Sequence, residues 1–224
     1  MTSTWTVTGA DGAKGEELLV AFDQARAIRL LVCPAWFDEA NKLRRFTVEV
    51  MRRLDKAGID CFLPDLPGCN ESLAPLDTQT LAGWQAGMAS AAQVFRATHV
   101  LAIRAGALLA PADLPGWHYA PLPGIRLLRG MIRARIIAAR EAGREEKAEA
   151  LLALGRSEGL VLGGWPLGAA MIRALCDAEP QLTDRQSEIA PSALGGPGLW
   201  LRAEPGEDPR QSDALAAIIA GSLA

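Results

Sequence analysis

Thr98-His99-Val100-Leu101-Ala102-Ile103-Arg104-Ala105-Gly106 decides how the rest of this chain is read. Residues 100–103 form a short apolar run, as expected for a strand buried on both faces, and the run stops at a charged residue followed by Ala-Gly. That is the frame of a G-x-S-x-G turn, in which a strand breaks sharply into a helix and lifts a serine oxygen clear of the sheet. Here Ala102 stands at the first glycine and Arg104 at the serine. A guanidinium has donors only, stays protonated and is no nucleophile. The frame is kept and its reagent is gone.

Outward from this turn the elements alternate. Residues 28–32 read as a buried strand, 41–57 as an amphipathic helix stopped at Gly58, 59–63 as a strand and 78–96 as a second helix leading into the quoted strand. Strand and helix alternating at this spacing predict right-handed crossovers and a parallel sheet. Residues 5–8 and 17–22 read as short strands flanking a Gly-rich turn, and a helix is expected to begin near Ala105. Further on, 117–121 reads as a strand, 125–154 as an arginine-rich helical region broken at Gly143, and 160–162 as a strand. Helices are expected at 169–176 and 213–223, and one short strand at 199–203 within a Pro- and Gly-rich stretch. The expected architecture is α/β: one domain over 1–224 with a mainly parallel central sheet, and 125–158 a helical cap insertion.

Composition narrows the function. The chain has 224 residues, half of them apolar, and a net charge of -3, which gives no electrostatic reason to expect nucleic acid as a partner. Cys33, Cys61, Cys69 and Cys176 form no C-x-x-C pair, and with two histidines no metal site or cofactor is expected. No apolar run reaches the ~18 residues of a membrane span, and Met-Thr-Ser-Thr-Trp lacks the pattern of a signal peptide. A cytoplasmic location is the expectation.

Two loops carry a family resemblance. Cys33-Pro34-Ala35-Trp36-Phe37-Asp38-Glu39-Ala40-Asn41-Lys42-Leu43-Arg44-Arg45, then Leu63-Pro64-Asp65-Leu66-Pro67-Gly68-Cys69-Asn70-Glu71-Ser72, resemble the α/β-hydrolase-like proteins known as exosortase A system-associated hydrolases of the second type. Residues 127–135 and 161–167 fit as well. The resemblance implies a small, partly degraded α/β-hydrolase-like fold and a role beside machinery for surface polysaccharide. The name implies hydrolysis, which the residues do not support. That chemistry needs a histidine after the last strand, and none follows His118. His99 lies inside the expected strand, and the segment meant to carry the acid-bearing strand looks eroded between 181 and 193. Gly155-Arg156-Ser157-Glu158-Gly159 matches G-x-S-x-G literally, but a helix precedes it where a strand is required, so it reads as a helix stop.

A site that has lost its nucleophile and gained positive charge points to an anion. Arg104 at the start of a helix would reinforce the helix N-terminus as an anion receptor, with Lys42, Arg44 and Arg45 near the same opening. The alternative is that Arg104 pairs internally with Glu39, Asp38 or Asp65. On the arginine-rich helix, Arg126, Arg129, Arg133 and Arg140 fall in a stripe roughly 60° wide. Arg135 points instead from the apolar face and demands a charge partner, expected near Arg104. The candidate ligand-binding residues are therefore Arg104, Arg135, Lys42, Asn41, Glu39, Trp36 and Asp65, with no catalytic residue and no metal ligand. The leading function is a non-catalytic or ligand-binding protein whose partner is a small anionic ligand. The alternatives are a hydrolase or acyl-transfer enzyme using Asp65, Cys69 or Ser72, and a protein-interaction scaffold using the arginine stripe.

Overall fold

The computed structural model describes residues 2–8 and 14–223; the Gly-rich turn expected between the first two strands lies outside them. Strands β1 (Thr2–Thr8), β2 (Lys14–Phe22), β3 (Arg29–Cys33), β4 (Asp60–Pro64), β5 (His99–Ile103), β6 (Gly116–Tyr119) and β9 (Gln186–Ile189) make one sheet in the order β1-β2-β4-β3-β5-β6-β9. β1 and β2 are antiparallel to each other, and β2 to β4; every pairing from β4 to β9 is parallel. β7 (Leu160–Leu162) and β8 (Trp165–Leu167) form a separate hairpin.

The central strands are largely apolar because both of their faces are covered. Side chains alternate between the two: Leu31, Cys33, Val100 and Ala102 enter one core, while Leu30, Val32, Leu101 and Ile103 enter the other. The second core lies under α1 (Phe37–Lys56) and α6 (Pro209–Ser222), through Phe46, Val50, Leu54, Leu215 and Ile219. The first lies under α2 (Leu81–Val94), α3 (Gly124–Glu141) and α5 (Ala169–Asp177), through Trp84, Met88, Leu128 and Leu175. α4 (Ala148–Glu158) packs on α3 and α5, so α3, α4 and the β7–β8 hairpin gather outside the sheet.

At the amino ends of the parallel strands an ionic cluster ties the sheet together. Asp60, fully buried, accepts the backbone N–H of Gln24 at 3.0 Å and of Arg26 at 2.8 Å, and bonds from the guanidinium groups of Arg26 and Arg29 at 3.3 and 3.0 Å. Hydrogen bonding to Arg29 holds the neighbouring Asp23 down to about 2.

Three expectations are corrected. The turn at Arg104 opens a 3-10 segment, Arg104–Leu109, rather than an α-helix, because Pro111 and Pro115 leave no room for longer helical bonding. β9 exists as a parallel edge strand where the sequence looks eroded: its two middle residues are exposed and polar, so no apolar run marks it. Leu199–Leu201 is a 3-10 turn, not a strand.

Candidate functional site

The carboxyl ends of β3, β5 and β6 open onto one cleft. In parallel α/β sheets this edge is where ligands bind, because the strands end there and loops diverge. The turn after β5 is a genuine elbow. Arg104 has φ 56°, a left-handed conformation rare for a side-chain-bearing residue. Gly106 then passes so close to β3 that an added Cβ would lie 2.4 Å from the carbonyl oxygens of both Cys33 and Pro34. The amide of Leu122 binds the Arg104 carbonyl at 3.2 Å and fixes the turn from the other side. Phe37, just after β3, and Ala120, just after β6, also have positive φ, 54° and 49°. Strained positions that gather at three adjacent strand ends are a mark of a functional edge.

Arg104 makes its contacts inside the protein. Its Nε and Nη2 donate to the two carboxylate oxygens of Glu39 at 2.9 and 3.0 Å, and Nη1 donates to the Ala120 carbonyl at 2.9 Å. The guanidinium also lies 4.1 Å from the ring centre of Trp200. The two side chains of the ion pair are 11% and 17% exposed. Of the two alternatives at Arg104, the internal one is therefore realised, with Glu39 from the first turn of α1 as partner.

Above this pair lies a cavity of about 510 Å3, within the range of small-molecule sites. Trp36, Phe37 and Trp200 line it on the sheet side, Leu127 and Met131 of α3 on the other, and Trp165 of β8 closes one end. Trp36 is buried, its Nε1 without a partner among the described residues. Asp38 and Arg126 bring the remaining charges to the cleft wall. Asp38 is paired with Lys42 at 2.8 Å.

The other candidate residues scatter. Lys42 reaches toward the Trp200 carbonyl at 3.5 Å, and Asn41 is exposed on α1. Arg44 turns to Asp65 at 2.6 Å and Arg45 to Glu207 at 2.6 Å, so these cations do not converge on Arg104. Asp65 is buried, does not line the cleft, and leaves Oδ2 unpartnered among the described residues. Arg135 corrects a firmer expectation. Its Nε and Nη2 donate to Glu146 at 2.8 and 2.9 Å, and Nη1 donates to the Val161 carbonyl at 3.0 Å. The side chain is 27% exposed and borders a separate pocket near β7 and β8. Glu146, in the 142–147 connection, brings the carboxylate to Arg135, so that residue does not need the Arg104 opening. Trp200 and Arg126 belong to the cleft and were not among the candidates; only Arg126 carried a signal, as the first member of the arginine stripe.

The remaining nucleophile candidates are buried or hydrogen-bonded within the fold. Ser72 Oγ donates to Glu17 at 2.8 Å and accepts the amides of Gly68 and Ala74. Burial, with Asp65 and Glu17 adding to it, pushes the Cys69 thiol up to about 12, far from the thiolate a nucleophile needs. Ser157 Oγ donates back to the Leu154 carbonyl at 3.0 Å inside the end of α4, as a helix residue does. His118 is fully buried on β6, where burial lowers its pKa despite the neighbouring Gln186. His99 Nδ1 sits 2.9 Å from Thr98 Oγ1 and its ring stacks on Trp117. Among the described residues no three His, Cys, Asp or Glu side chains could together hold a metal ion, and no helix is long and apolar enough to cross a membrane.

No protein-family model and no curated protein matches the sequence. Solved structures do. A candidate hydrolase from Agrobacterium vitis S4 superposes with a TM-score of 0.56 at 12% identity, covering 100% of this chain and 97% of that one. Mouse alpha/beta hydrolase domain-containing protein 10 gives 0.53 at 12%, covering 77% of this chain and 69% of its own. Est1E from Butyrivibrio proteoclasticus, with ferulic acid bound, gives 0.50 at 15%, covering 77% and 71%. At such identities the likeness is one of fold. The chain has a small α/β-hydrolase-like fold with a mostly parallel central sheet.

Proposed function

We propose that this chain binds a small organic molecule in the cleft above Arg104 and does not form a covalent acyl intermediate there. One observation carries the reading: at the elbow where the fold presents a nucleophile, the side chain is a guanidinium held by Glu39 in a two-pronged ion pair. An ion pair of that geometry occupies the turn with charge already satisfied. The cleft keeps the size and the aromatic lining of a binding site while losing its reagent.

The direct test is a fluorophosphonate probe on the purified protein, alongside ligand titration followed by tryptophan fluorescence. Absence of labelling, together with saturable quenching, is the expected result. Labelling abolished by Ser72→Ala or Ser157→Ala would overturn the reading and favour the second one, a hydrolase or acyl-transfer enzyme with unfamiliar groups. That alternative is supported by the hydrolase and esterase neighbours of the fold. A cytoplasmic location and an accessory role in exopolysaccharide production belong to the same proposal. They rest on the resemblance of residues 33–45 and 63–72, and co-purification from cells with and without that machinery tests them.

A further inference from the structure

Charge bookkeeping over the cleft wall sharpens the ligand. Four charged side chains line it: Asp38, Glu39, Arg104 and Arg126. Glu39 and Arg104 neutralise each other, and Asp38 is neutralised by Lys42 from the next turn of α1. The side chain of Arg126, on the first turn of α3, is exposed and makes no hydrogen bond or ion pair among the described residues. Among the described residues its guanidinium is the one charge on the wall without a partner. The rest of the wall is largely aromatic and apolar, with Leu127 and Met131 on the same helix as Arg126 and Trp36, Phe37, Trp165 and Trp200 from other elements.

We infer that the cleft takes an apolar, preferably aromatic, monocarboxylate whose carboxylate is received by Arg126. The inference rests on the binding reading above. An apolar body fits the walls, and a guanidinium offers a carboxylate two parallel N–H donors. A single negative charge matches the one cation left free among the described residues of the wall. A dianion would bring a second charge for which the wall offers no further free cation among the described residues. Arg104 does not serve as the receptor, because Glu39 already fills its fork and Ala120 takes a further donor. The anion is thus read from the outer wall of the cleft and not from the elbow.

Titration calorimetry with phenylacetate, phenylacetamide and phenyl phosphate separates the possibilities, using the whole chain, Arg126→Gln, and Arg133→Gln as a control. Arg133 belongs to the same exposed arginine stripe but does not line the cleft. Phenylacetate should bind about tenfold more tightly than phenylacetamide, the advantage of one charge-assisted contact, and more tightly than phenyl phosphate. Arg126→Gln should erase the preference for acid over amide while amide binding persists; Arg133→Gln should leave the preference intact. Equal binding of acid and amide without probe labelling would overturn the monocarboxylate and leave the binding reading standing. A preference that survives Arg126→Gln would overturn the assignment of the receptor. Failure of phenylacetate to bind would overturn the monocarboxylate, whereas serine-dependent labelling by the fluorophosphonate would overturn the binding reading beneath it.

Discussion

Replacing Arg104 by alanine and, separately, by glycine resolves two energies that the native residue combines. Either change strips Glu39 of its two guanidinium bonds, frees the Ala120 carbonyl and removes the cation over Trp200. Breaking a fully buried pair by removing one partner costs ~3–5 kcal/mol, and an exposed pair is worth at most about 1 kcal/mol. With the two side chains 11% and 17% exposed, the pair lies nearer the buried limit, so a loss of about 2–4 kcal/mol is expected. For a chain of this size that is a fall in Tm of roughly 5–15 °C. Alanine keeps the cost of φ 56° and glycine does not, so Arg104→Gly should be the more stable variant by about 1 kcal/mol. Urea denaturation of the single and double Arg104→Ala and Glu39→Ala variants gives the coupling energy directly, expected above about 1.5 kcal/mol. Coupling below about 0.5 kcal/mol would refute the ion pair. A glycine variant no more stable than the alanine one would refute the left-handed elbow.

Gly106→Ala should destabilise by about 3 kcal/mol or more, since its Cβ would meet two backbone oxygens that cannot rotate away; thermal melting checks it, and a neutral result would contradict the close approach. Asp60→Asn leaves four N–H donors around one remaining acceptor oxygen, so a loss of about 3–5 kcal/mol is expected by chemical denaturation, larger than for any single surface carboxylate. Burial raises the pKa of Glu17 above its usual 4.5, outweighing its bond from Ser72. The native state therefore favours the protonated acid, and that stability is present below pH 4.5 and lost as pH rises through the folded value. Glu17→Gln should accordingly be stabilising at pH 7 relative to its effect at pH 4; equal effects at both values would exclude the sign.

The parallel sheet was legible because β3, β4 and β5 carry short apolar runs, 30–33, 61–63 and 100–103, that cover on both faces explains. The elbow was legible for the same reason, since Arg104 breaks such a run abruptly. β9 was not, because an edge strand of four residues with Ser187 and Glu188 facing solvent has no period to read. Ion-pair partners were the least accessible. Glu39 meets Arg104 across 65 positions of sequence, and three carboxylates were equally eligible until the fold chose one. Arg135 was misplaced because a helical wheel fixes direction around an axis and says nothing of the 142–147 connection that returns Glu146 to it. Trp200, in an irregular stretch rich in proline and glycine, carries no local pattern that would bring it over Arg104.

The elbow holds its left-handed backbone with a side chain that cannot attack anything. Its shape is enforced from below, by Gly106 against the oxygens of Cys33 and Pro34, and from the side, by Leu122 on the Arg104 carbonyl. Neither contact involves the side chain at 104. The turn is in that sense a socket: the scaffold specifies where a side chain is presented and leaves open which chemistry is plugged in. Oxygen, guanidinium or plain hydrogen would be displayed at the same point of the cleft, which makes position 104 the natural place to graft a reactive or reporting group onto this fold.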